Sequence, residues 1–99
     1  MAQLLRDTWP VLAAEIEAAL RSCDEPALAE LVHELPVVSR CDCPDEFCQS
    51  FYTAQPPDGP YGDGHRNVVL EPPWAGFLIL DVIDEQIMYV EVLDRPSLD

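Results

Sequence analysis

The runs Gly76–Asp84 and Gln86–Asp94, GFLILDVID and QIMYVEVLD, are joined through Asp84-Glu85. So short a connection has no room for a crossover, and the two runs are expected to pair as an antiparallel hairpin. In the first run Phe77, Ile79 and Ile83 alternate with Leu78, Leu80 and Val82. Both of its faces are therefore apolar, as in a central strand. The second run behaves alike except at Glu91. One face of this hairpin is expected to meet helices and the other to be covered by a loop or a second subunit.

Upstream the period is helical. Leu5, Trp9, Leu12, Ile16 and Leu20 fall on one stripe of a first helix over about residues 3–22. Pro10 has no N–H to give to a helix interior, so the helix is expected to begin properly near Thr8, a suitable N-cap. Residues 2–7 then form a separate turn or a loosely attached arm. Asp24 and Glu25 before Pro26 signal a second helix over about 26–35, with Leu28, Leu31, Val32 and Leu35 on its stripe and Pro36 ending it. The short connection makes the two helices antiparallel neighbours. His33 reads as a solvated or partly packed histidine.

Beyond Pro36 the pattern is extended. Val37-Val38 begin a short segment leading to Cys41, FCQSFYTA (47–54) alternates as a strand does, and RNVVLE (66–71) is a further strand closed by Pro72-Pro73. QPPDGPYGDG (55–64), with three prolines and three glycines, is a loop. The expected fold is α+β: two N-terminal antiparallel helices packed on a four-stranded antiparallel sheet that ends in a β-hairpin. Residues 1–99 read as a single domain, with 1–36 the helical hairpin and 37–99 the sheet.

Charge sets the partner class. The chain carries 19 acidic and 5 basic residues, a formal charge of −14, and its five cations are the scattered Arg6, Arg21, Arg40, Arg66 and Arg95. Without a cationic track, direct nucleic-acid binding and an anionic membrane surface are both disfavoured. A basic protein partner is the favoured one. No run approaches the ~20 apolar residues of a membrane span, and no leader pattern opens the chain. Cytoplasmic residence is the expectation, and in a reducing compartment Cys23, Cys41, Cys43 and Cys48 are thiols or metal ligands rather than disulfides.

The segment Cys41-Asp42-Cys43-Pro44-Asp45-Glu46-Phe47-Cys48 is the chemically loaded one. Three readings are open: buried free thiols, a zinc site, or a redox pair. Zinc would take Cys41, Cys43 and Cys48 with His65, or Cys23, as the fourth ligand, which requires the sulfurs to cluster within about 4 Å. Asp42, Asp45 and Glu46 disfavour a thiolate, so the redox reading is the weakest. His65 with Asp58 and Asp63 nearby has the elements of a general-base pair, but loops collect polar residues in any case. Asp81 and Glu91 each interrupt an apolar strand. Facing the same side, they mark an exposed or partner-facing sheet surface; buried, each needs a donor such as Arg66 or Arg95.

CDCPDEFCQSFYTA, the loop with GDGHRNVVLE, and GFLILDVIDEQIMYVEVLDRP together resemble a family of small uncharacterised bacterial proteins. Its pattern is a C-x-C-x4-C segment running into F-Y, followed by a terminal D-V-x-D-x-x-I-x-x-V-E-V-L hairpin. The resemblance covers residues 40–96 and implies kinship without an activity or any site residue. Two functions are then carried forward. The first is a non-enzymatic, inhibitor-like or immunity-like acidic module that binds a basic protein through Asp42, Asp45, Glu46, Asp58 and Asp63. The alternative is a small zinc-binding protein organised by Cys41, Cys43, Cys48 and His65. No catalytic residue is assigned.

Overall fold

The structure, a computed structural model, describes residues 3–40, 48–54, 64–70 and 76–94. In chain order it forms β1 (Gln3–Leu4), α1 (Leu5–Thr8), α2 (Pro10–Ser22), α3 (Pro26–Leu31) and a 3-10 turn (Val32–Glu34). The strands β2 (Pro36–Val37), β3 (Ser39–Arg40), β4 (Phe51–Tyr52), β5 (His65–Leu70), β6 (Phe77–Ile83) and β7 (Gln86–Leu93) follow. Helices and antiparallel sheet make an α+β fold. The sheet holds five strands in the order β3-β4-β7-β6-β5 rather than four, and β1 with β2 forms a separate two-stranded ladder.

Prolines punctuate the helical half. Each excludes the preceding residue from the helical region, so Trp9 (φ −137°, ψ 76°) and Glu25 (φ −121°, ψ 59°) are joints, with Pro10 and Pro26 opening the next helix. This corrects the placement of the cap. Thr8 closes α1 instead of capping α2, and its Oγ1 donates back to the Leu4 carbonyl at 3.0 Å. Of the two alternatives for the first residues, the separate turn holds, as α1, and the loose arm does not: Leu5 is fully buried and its N–H donates to the Leu35 carbonyl at 2.8 Å. The second helical stretch tightens after Leu31 into the 3-10 turn, and Leu35 (φ −69°, ψ 127°) leaves it before Pro36.

The β6–β7 register determines what each sheet face carries. Leu78 pairs with Val92 and Leu80 with Val90 on the inner face, which Val68, Leu70 and Phe51 extend across β5 and β4. These residues and the helical Leu12, Ile16, Leu20, Leu28 and Val32 form one buried core. Trp9 stacks at a tilt on Phe51, ring centroids 5.3 Å apart, and joins the two layers. The pairing shifts by one residue between Asp81 and Val82, leaving Met88 unmatched on β7. That bulge lets Ile87 join Val90 and Val92 on the inner face, which strict alternation would forbid.

Two left-handed positions give opposite expectations. Asp24 (φ 66°) follows α2, with Glu25 N–H donating to the Leu20 carbonyl at 2.9 Å and Asp24 N–H to Arg21 at 3.4 Å, the Schellman arrangement that glycine favours. Asp24→Gly should raise unfolding free energy by about 0.5–1 kcal/mol in urea titrations. Gly64 (φ +84°) occupies such a position correctly, and a Cβ there would lie 2.8 Å from Asp84 Oδ1. Gly64→Ala should lower stability by about 1 kcal/mol in the same assay.

Candidate functional site

The sheet face turned away from the helices is built by the same alternation that fills the core. In register across β5, β6 and β7, one row on this face reads Asn67, Asp81, Tyr89 and the next reads Val69, Ile79, Glu91. Tyr52 of β4 extends the first row and stacks on Tyr89 at 4.4 Å between centroids. Phe77 and Leu93 form the row beyond. Asp81 and Glu91 therefore share a face. This settles their geometry in favour of the outer surface, although Asp81 itself is only 7% exposed.

Asp81 finds its donors on β5. His65 Nε2 lies 2.9 Å from Asp81 Oδ1, and Asn67 Nδ2 donates to the same oxygen. Of the two donors expected from sequence, Arg95 lies outside the described residues, and Arg66 lies between these two residues in a strand and so points to the opposite face. There its Nη1 and Nη2 donate to Glu25 at 2.7 and 3.2 Å, and Nη2 reaches Glu85 at 3.1 Å. These hydrogen bonds hold the Glu25 carboxyl below the usual carboxylate range. They tie the α2–α3 joint to the hairpin turn.

Glu91 is the contrasting carboxylate. It is half-buried beside Ile79, and among the described residues its carboxylate has no hydrogen bond or ion pair. Burial first, and the charge of Asp81 second, push its carboxyl above the ordinary value. Around it the surface is apolar: Val69 is 59% and Phe77 55% exposed, with Ile79 and Leu93 half-buried.

The structure does not assemble the zinc set from the residues it describes. Cys48 bridges to Leu93, in the row of Phe77, whereas His65 pairs with Ile83 at the other end of β6 and on the far edge of the sheet. Six residues of extended chain separate Phe77 from Ile83, roughly 20 Å, so Cys48 and His65 cannot share one tetrahedral ion. Cys48 Sγ instead lies 3.4 Å from Ser50 Oγ, and Cys23 is exposed at the end of α2. Among the described residues no three His, Cys, Asp or Glu side chains converge on a metal-sized site. Cys41 and Cys43 lie outside the described residues, as do the proposed partner-binding Asp42, Asp45, Glu46, Asp58 and Asp63. His65 is engaged by Asp81, and the general-base pairing with Asp58 or Asp63 lies outside the described residues too.

A depression of about 240 Å³ opens beside the hairpin end, lined by Leu31, Leu35, Ile87 and Met88 among others. That is below the ~300–1,000 Å³ of sites that enclose small ligands. No described helix is long and apolar enough to cross a membrane. Comparison with protein-family models, curated proteins and solved structures finds no match.

The raised Glu91 pKa has a definite sign in stability. Because the folded carboxyl holds its proton more tightly than the unfolded one, its contribution is full below about pH 4.3 and is lost as pH rises through the folded value. Glu91→Gln should therefore gain stability over the wild type at pH 7, and the gain should vanish near pH 3. Thermal melts at both pH values check this, and an equal gain at both would place the effect in packing.

Proposed function

We propose that this chain is an acidic, non-enzymatic binding module for a basic protein partner, with the open face of its sheet as part of the contact surface. The observation that carries this reading is where the cations sit. Among the described residues, Arg21 pairs with Glu17 at 3.2 Å, Arg66 pairs with Glu25 and Glu85, Arg40 lies 4.8 Å from the Trp9 ring centroid, and Arg6 stands on α1. All four are at the helical layer or bonded away from the open face. That face retains Asp81 and Glu91 with no arginine among its described residues, in a chain of formal charge −14. Carboxylates with no arginine beside them steer a cationic surface toward the face that holds them.

Immobilised protein should retain a basic protein from the lysate of its native host at about 0.01 M salt and release it as salt approaches about 1 M, where the Debye length falls from roughly 30 Å to roughly 3 Å. Glu91→Arg should reduce that retention. A partner held equally at both salt concentrations, or unaffected by the charge reversal, would argue against the reading.

A further inference from the structure

We propose that the open sheet face recognises an arginine side chain of the basic partner, its guanidinium paired with Glu91 and laid against Phe77. This rests on the reading of a basic protein partner and specifies what that partner must present. The strip is largely apolar, with two carboxylates, Asp81 and Glu91. Glu91 has Ile79 directly across β6 and Phe77 and Asp81 on the diagonals, with Tyr89 and Leu93 two residues away on its own strand. Neighbours at those spacings lie about 5–8 Å apart, within the span of one long side chain. Among the described residues the half-buried Glu91 carboxylate has no bonding partner, while Phe77 on its diagonal and Val69 one strand beyond Ile79 leave more than half of their surface open.

Charge complementarity selects a cation, and the apolar neighbours, Phe77 among them, select which one. A guanidinium is weakly hydrated, stacks on aromatic rings and meets a carboxylate through two parallel N–H donors. A lysine ammonium is compact and strongly hydrated, so it loses more water on entering the same strip. Asp81 adds negative potential from the diagonal, but its own oxygen is already engaged by His65 and Asn67. Glu91 is thus the carboxylate available to a partner.

The test uses fluorescently labelled oligoarginine and oligolysine of equal length at physiological ionic strength, with anisotropy as the readout. The wild type should bind the arginine peptide about fivefold more tightly than the lysine peptide. Glu91→Gln should abolish that ratio, and Phe77→Ser should reduce it. Glu30→Gln, which makes the same change in net charge at an exposed helical position, should preserve it. Equal affinities for the two peptides, binding of neither, or a preference that survives Glu91→Gln would each overturn the arginine site. The salt-dependent retention of a basic protein is read separately, so the partner reading and the arginine site can fail independently.

Discussion

The pairing of β6 with β7 is the constraint on which the other elements depend. Asp84 and Glu85 both adopt positive φ, 49° and 64°, in a two-residue turn whose twist suits an antiparallel ribbon. The turn sets Ile83 opposite Gln86, and the bulge at Met88 then moves the remaining pairs by one position. Without that shift Ile87 and Val90 would face opposite sides. With it, Val82, Ile87, Leu80, Val90, Leu78 and Val92 all enter the core, and β5 and β4 dock on a hairpin whose inner surface is continuous.

The same register separates charge from cation. Arg66 and its neighbours His65 and Asn67 alternate along β5, so one faces the helices and the others face outward. Arg66 is consumed by Glu25 and Glu85 at the joint between layers, a partly exposed pair of modest energetic value. Its larger effect is positional. It leaves the outer face with one carboxylate, Asp81, whose Oδ1 is engaged by His65 and Asn67, and a second, Glu91, half-buried among apolar neighbours. Burying an uncompensated charge costs free energy unless a cation arrives. A surface that bears this cost in isolation gains more from a cationic partner than a fully hydrated carboxylate would.

Much of the architecture was legible in the sequence because its strongest signals are local. Helical spacing from Leu5 to Leu20, prolines at 10, 26 and 36, and apolar runs on both sides of Asp84-Glu85 each act within a few residues. They determined an α+β chain with its helices in the N-terminal part and a hairpin over residues 77–93. The alternation of Phe77, Ile79 and Ile83 with Leu78, Leu80 and Val82 also assigned those side chains to their two faces, and Asp81 and Glu91 stood out as acidic interruptions.

Only the tertiary structure decided how those pieces are used. The segment from Val37 toward Cys41 reads as extended in the sequence, but Ser39–Arg40 joins the sheet as a fifth strand because β4 offers it a partner. The donors to Asp81 are His65 and Asn67 because β5 pairs with β6 in one register, and a one-residue slip would have delivered Arg66 instead. The distance between Cys48 and His65 is likewise a matter of strand order. Composition fixed the chain's negative charge, and helical and strand periods fixed its elements, since both are properties of neighbours in sequence. Which carboxylate found a donor and which was left without one depended on contacts between residues far apart in the chain, and those form only when the sheet closes on its core.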